Sequence, residues 1–291
     1  MVYLIKACLA FLALFPLPVN HLVGRMVGLL LFYTRNRTRE VSETNISICF
    51  PNWSELQRQE LLKNSLIEMG KTMTEIAVVW GWKKERVLKY LTVSNEEIIQ
   101  TAIESKRGVI FLTPHLGCWE IAGLYLGEKL PVTTLYQQPK IASLDKLTRS
   151  ARERSGATLV NTGRRGIVAL LKALKSAQSV GILPDQTPKL ENSGVFAPFF
   201  RRPALTMNLI ANLAQKSNAM IVIGYAERKA QGRGYHLHMK MAPPELADSD
   251  PMVATTTLNR AVEELINREP EQYQWSYKRF KKVPPGLEKV Y

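Results

Sequence analysis

His115 and Glu120 stand five residues apart in the segment TPHLGCWE, Thr113–Glu120. An imidazole paired with a carboxylate is suited to taking a proton from a hydroxyl, because the carboxylate fixes the tautomer and stabilises the imidazolium that forms. On a regular helix, five residues at about 100° each would leave the two side chains about 140° apart. They can meet only if the chain turns between them. Pro114 ends a preceding strand and Gly117 permits a tight turn. The spacing therefore predicts His115 on a loop as general base and Glu120 in the first turn of a helix as its partner. Backbone N–H groups near Gly117 are expected to face an oxyanion. Taken alone, this spacing is more often a capping histidine with an unrelated surface glutamate.

Other residues offer supporting chemistry. Asp185 follows the apolar run VGILP and is expected at the same edge of a sheet as His115. Arg149, Arg152 and Arg154 lie in LTRSARERSGA, Leu147–Ala157, where Arg149 and Arg152 share a helix face with Asp145. A planar guanidinium suits phosphate, and Arg164 and Arg165 open a further helix where an anion could bind. Phe199 and Phe200 are either lining for an apolar groove or ordinary core. Cys118 is a weak candidate nucleophile, since a base acting directly on the acceptor makes it unnecessary. There is no G-x-S-x-G elbow and no HExxH pair. His236 and His238 share a strand face without an evident third ligand. No metal site is expected.

The elements that position these residues change character along the chain. Glu55–Trp82 has helical periodicity, and Ser94 with Glu97 is spaced as a capping box. From Gly108 onward strands alternate with helices. Strands are expected at Gly108–Thr113, Val132–Tyr136, Ala157–Val160, Ser179–Leu183, Met220–Tyr225 and Tyr235–Met241. Helices are expected from Trp119, at Ser143–Ser155, Gly163–Ser176, Ala204–Lys216 and Met252–Arg268. This alternation predicts an α/β fold with a central mixed β-sheet flanked by helices.

Lys and Arg number 39 against 25 acids in 291 residues, a formal charge of +14 that suits an anionic partner. Ala7–Val19 and Met26–Tyr33 are apolar runs, followed by Arg35, Arg37 and Arg39. Each run is shorter than the roughly 20 residues needed to span a bilayer. A retained apolar N-terminal helical membrane anchor over residues 1–35, spanning or lying on the surface, is the expectation. Residues 36–291 follow as one catalytic domain, helical over 36–105 and α/β over 106–291. The C-terminal KRFKK mixes cations with aromatics, as suits a lipid headgroup region or an acidic protein. The three scattered cysteines, Cys8, Cys49 and Cys118, fit a reducing compartment.

The chain resembles the bacterial lipid A biosynthesis acyltransferases, the lauroyl and myristoyl transferases, within the wider lysophospholipid acyltransferase group. Four blocks carry the resemblance, in order. They are His115 with Glu120 as H-x4-E, the arginine block, GILPDQTPKLENSGVFAPFFRRPALT (Gly181–Thr206) and WSYKRFKKVPPG (Trp275–Gly286). One departure is Gln137 in YQQP (Tyr136–Pro139), where the family often has arginine. The resemblance implies a glycerol-3-phosphate acyltransferase-like fold at the cytoplasmic face of a bacterial inner membrane. It implies acyl transfer from an acyl carrier protein thioester to a hydroxyl of an anionic glycolipid, with no cofactor and no nucleic acid. His115 and Glu120 would be catalytic. Arg152, Arg154, Arg149, Asp185, Gly117 and Arg164 would bind substrate. A related acyltransferase using another glycolipid, a lysophospholipid or coenzyme A is the alternative within enzymes. A basic membrane-binding protein without catalysis is the alternative outside them.

Overall fold

The computed structural model describes residues 2–138, 142–154 and 156–291. Met1 of the expected anchor, Pro139 of the YQQP segment and Ser155 of the arginine block lie outside the described residues. The strands are β1 (Leu91–Val93), β2 (Val109–Leu112), β3 (Val132–Tyr136), β4 (Thr158–Asn161), β5 (Ser179–Ile182), β6 (Gly194–Phe199), β7 (Arg202–Met207), β8 (Met220–Arg228) and β9 (Tyr235–Met241). Seven of these form one sheet in the order β1-β9-β8-β2-β5-β3-β4, and β6 with β7 forms a separate hairpin. The large sheet is mixed: β9 runs antiparallel to β8, and every other neighbouring pair is parallel.

The helices are α1 (Val2–Leu12), α2 (Leu17–Tyr33), α3 (Arg37–Cys49), α4 (Glu55–Gly81), α5 (Lys84–Leu88), α6 (Glu97–Glu104), α7 (Trp119–Lys129), α8 (Ala142–Glu153), α9 (Arg164–Lys175), α10 (Leu209–Ser217) and α11 (Pro251–Arg268). The apolar run of β2 is buried on both faces, as a central parallel strand requires. Ile110 and Leu112 join a core with Leu170 of α9, Leu213 of α10 and Leu258 of α11. Val109 and Phe111 point the other way, into a core with Ile99 of α6 and Ile121 of α7.

The N-terminal helices are not a spanning anchor. Among the described residues no helix is long and apolar enough to cross a membrane. The chain breaks at Pro16, and α2 lays one face on α4. Glycines make that contact close. A Cβ on Gly24 would lie 2.5 Å from Lys71 Cα, and one on Gly70 would lie 2.6 Å from Gly28 N. The four-residue spacing of Gly24 and Gly28 is a helix-packing seam of the small-xxx-small kind.

Three further expectations give way. Ser94 does not cap a helix: its hydroxyl bonds His236, and α6 starts at Glu97. The capping box in this half of the chain is Ser54 with Gln57, which opens α4. The section 36–105 also contributes β1, which pairs with β9. The helix expected over Ala204–Lys216 begins only at Leu209, because Arg202–Met207 pairs with Gly194–Phe199. The turn between them carries positive φ at Phe200 and Arg201, a conformation that usually draws Asn-Gly, so these two residues gave no turn signal in the sequence.

A buried ionic cluster fastens the N-terminal helices to the sheet. Arg228, at the end of β8, donates to both oxygens of Glu75 at 2.8 and 2.6 Å and to Glu68 at 2.8 Å. His21 of α2 and Tyr235 of β9 also reach Glu75, at 3.3 and 3.0 Å. Burial alone would raise the Glu75 pKa, but Arg228 and His21 more than reverse it and hold the carboxyl well below its usual range. Removing one partner from such a cluster strands the opposite charge in the interior. Arg228→Ala is therefore expected to lower the unfolding free energy by about 3–5 kcal/mol, read as a shifted urea midpoint with an unchanged slope.

Candidate active site

The site is assembled by strand register. β2 and β5 are parallel neighbours whose last residues, Leu112 and Ile182, are paired. His115 and Asp185 each stand three residues beyond that pair, so both emerge at the carboxyl edge of the sheet, where α/β folds place reactive groups. Asp185 Oδ2 accepts the backbone N–H of His115 at 3.0 Å, and Oδ1 lies 2.9 Å from the ring Nδ1. The Asp185 side chain is only 3% exposed, against 14% for His115. Burial would raise the Asp185 pKa, but the charge and hydrogen bonds of His115 hold it below the usual carboxylate range. Nδ1–H donation to Asp185 leaves a lone pair on Nε2. The amide nitrogen of Gln186 lies 3.1 Å from that atom and donates to it.

Glu120 does not contact His115; the expected dyad is replaced by His115 with Asp185. Glu120, at the start of α7, forms a forked ion pair with Arg152 of α8: Arg152 Nε donates to Oε2 at 3.1 Å and Nη2 donates to Oε1. Trp80 Nε1, from the end of α4, donates to the same Oε2 at 3.0 Å. Burial would lower the Arg152 pKa, and the Glu120 charge more than reverses this. Nothing in the spacing around Trp80 announced its part.

Gly117 supplies the turn that the sequence requires of it, with φ +62°. A Cβ there would lie 2.9 Å from the carbonyl carbon of Ala226. The surrounding N–H groups are occupied, however. Gly117 N donates to Gln272 O at 3.1 Å, Cys118 N to Ala226 O at 2.8 Å and Leu116 N to Pro114 O at 2.7 Å. The first two stitch the loop to the C-terminal segment and to the end of β8, the third closes the loop on itself, and all three are thereby turned away from an oxyanion. The Cys118 thiol is buried, and that burial, with Glu75 nearby, pushes its pKa well up. This is the reverse of an activated nucleophile.

The remaining arginines divide. Arg154 donates to the carbonyls of Val79, Trp80 and Trp82, satisfying the C-terminal end of α4. Arg149 pairs with Glu153 at 2.9 Å and lies 3.7 Å from Asp145 along α8. Arg164 and Arg165 are exposed at the start of α9, which follows the edge strand β4. That strand is three positions from β2, about 14 Å across the sheet, so Arg164 is not brought to His115. The KRFKK segment is also only partly external. Arg279 is buried, donating to Leu205 O and Thr206 Oγ1 at 2.7 and 2.8 Å. Its carbonyl accepts from Thr187 Oγ1 at 3.2 Å, and Tyr277 Oη accepts Thr187 N at 3.0 Å. The closing segment thus braces the loop that carries Asp185 and Gln186. Phe199 and Phe200 pack with Phe280 and Trp275 in the core.

Beside the charged groups runs an apolar groove open to solvent, lined by Val79, Phe111, Leu124, Leu126, Val132 and Leu135. Glu120, Arg152 and Trp119 lie on its wall, and the Trp119 ring stands edge-on to His115 at 5.0 Å. A carboxylate-oriented imidazole thus stands one aromatic ring away from an apolar groove whose wall carries a fixed guanidinium, parts that suit transfer chemistry on a substrate with an apolar tail and an anionic part.

Comparison with known proteins narrows this class. The sequence model of the bacterial lipid A biosynthesis acyltransferases matches residues 1–282. The chain belongs to that family and is an acyltransferase. It is 29% identical to the lipid A biosynthesis lauroyltransferase of Escherichia coli (strain K12), over 95% of this chain and 90% of the relative. It is 28% identical to the palmitoleoyltransferase of the same organism, over 95% and 89%. The myristoyltransferase is 26% identical, over 92% and 82%.

The depressed Asp185 pKa gives a stability signature. An Asp that ionises more readily folded than unfolded stabilises fully above its unfolded pKa of about 3.9, and this is lost as pH falls through the folded value. The stability difference between wild type and Asp185→Asn is therefore expected to be constant at neutral pH and to shrink below about pH 4, as measured by urea unfolding across pH.

Proposed function

We propose that this chain transfers a fatty acyl group from an acyl carrier protein thioester to a hydroxyl of a lipid A precursor, with His115 as general base. The observation that carries this reading is the His115 ring, fixed through Nδ1 by Asp185 and set edge-on against Trp119, whose side chain lines an apolar groove. The acceptor hydroxyl displaces the Gln186 amide from Nε2 and gives its proton to that nitrogen. Its oxygen attacks the thioester carbonyl, a C–O bond forms, and the carbonyl electrons move onto oxygen. Collapse breaks the C–S bond, and the imidazolium returns its proton to the departing thiolate. Asp185 stabilises the imidazolium between these two transfers.

Glu120 acts on this reading through Arg152. It holds the guanidinium at the groove, where its positive charge faces phosphate or developing negative charge on the substrate. The groove receives the acyl chain. The family membership, the relatives named for lipid A acyl transfer and the basic surface all support an anionic lipid acceptor.

The reading also places the chain at a lipid surface. Leu22, Met26, Leu30 and Tyr33 of α2 are 58–71% exposed and recur at four, four and three residues, forming one apolar stripe. A stripe of this kind flanked by arginines lies in a membrane interface without crossing it.

Lipid A from cells with and without the protein, compared by mass spectrometry, is expected to differ by one acyl chain; no difference would refute the acceptor. In purified assays His115→Ala is expected to lower kcat by about 10²–10⁴-fold. Asp185→Asn should lower kcat with little change in KM, and Glu120→Gln should raise KM for the anionic substrate. Full activity of His115→Ala would refute the general base. Equal rates with coenzyme A thioesters would refute the carrier-protein donor.

A further inference from the structure

We infer that Gly123, on the helical wall of the groove, sets the length of acyl chain that the enzyme accepts. This rests on the reading of the groove as the acyl site. Gly123 stands in the middle of α7, where glycine is destabilising relative to alanine. Several other helical glycines have steric reasons. Gly24, Gly28 and Gly70 lie where α2 crosses α4, and a Cβ on Gly166 would strike the backbone of Asn161. Gly123 has none of these. A Cβ built there meets nothing within 4 Å, and its φ is not positive. What it faces is the groove, which it lines.

The depth of the groove can be read from strand register. Thr113, just beyond β2, lies at the chemical end. Val132, which pairs with Ser179 and so stands level with Val109, lies at the far end. Those levels are four residues apart, roughly 13 Å. Gly123 follows Glu120 by three residues, about 4.5 Å down the helix, so it stands between mouth and floor. On the sheet wall, Phe111, Gly181 and Thr134 share the middle level. A Cβ on Gly181 would meet only side chains, the nearest at 3.8 Å. At mid-depth Gly123 leaves the helical wall without a side chain, opposite Phe111, Gly181 and Thr134 on the sheet wall. A long side chain on Gly123 closes the path to Leu126 and Val132, and the accepted chain must end nearer the mouth.

The test measures initial rates with acyl carrier protein thioesters from decanoyl to hexadecanoyl and a lipid A precursor as acceptor. The proteins are wild type, Gly123→Ala, Gly123→Leu and Val132→Phe. Gly123→Leu is expected to prefer shorter chains, lowering the long-to-short rate ratio by roughly tenfold or more, with Gly123→Ala intermediate. An unchanged ratio in Gly123→Leu with a shifted ratio in Val132→Phe overturns the role of Gly123 and leaves the groove reading standing. Unchanged ratios in both overturn the groove reading as well. Uniform loss at every length also counts against Gly123, because selectivity is a ratio. Should the leucine variant fail to fold, the ratio for Gly123→Ala decides, since alanine suits the helix and meets no neighbour.

Discussion

Asp185 grips His115 at two points, the backbone N–H and the ring Nδ1. One contact would orient an imidazole loosely; two contacts from one carboxylate fix both the loop and the ring. The grip exists because β2 and β5 are adjacent, parallel and end level, which sends two loops out of the sheet side by side. The carboxylate is buried, so its charge is poorly screened and its preference for an imidazolium partner is strong. Other parts of the fold hold this arrangement in place. Ala226 and Gln272 accept the N–H groups of the His115 loop, and Gln274 donates to His115 O at 2.9 Å. The Trp275–Lys282 segment holds the Asp185 loop through Thr187.

The second carboxylate has a separate task. With Asp185 in place, Glu120 is not needed as an orienter, and helix geometry turns it away from His115 toward α8. There it neutralises Arg152 and limits its rotamers. A guanidinium already fixed by a fork and stacked near Tyr136, at 5.9 Å, loses little freedom when an anion arrives. The H-x4-E spacing therefore joins two devices on one turn, an imidazole held from the sheet and a cation held from the helix.

Much of this was legible in the sequence because it follows from local pattern. Apolar runs bounded by Pro and Gly gave the strands, and Asp185 after VGILP was expected at the edge that carries His115. What the sequence could not show was which carboxylate reaches the imidazole, since that depends on β2 pairing with β5, a contact about 70 residues apart. The arginine block was visible as a cluster, but the division between Arg152 at the groove and Arg154 on the end of α4 is set by tertiary packing. Arg279 was hidden for a related reason: within KRFKK it has the composition of a surface residue, and only the β6–β7 hairpin and Asn259 make its burial tolerable. The apolar N-terminus left spanning and lying flat open, because a run suited to lipid is also suited to a helix seam, and Gly24 and Gly28 carry that seam.

The same seam bears on how a lipid substrate reaches the chemistry. α4 spans 27 residues, about 40 Å. Gly70 in its middle receives α2, Glu75 one turn later binds Arg228, and Val79 and Trp80 at its end form part of the groove wall. One rigid helix therefore joins the apolar stripe of α2, the sheet and the site. On the proposed reading, a protein lying on a bilayer through α2 holds its groove at a fixed height and angle to that surface, because neither the glycine seam nor the buried ion cluster permits sliding. The orientation that lets a hydroxyl of a membrane-held lipid meet His115 Nε2 is then a property of helix packing, and the charge cluster around Glu75 serves catalysis without touching substrate.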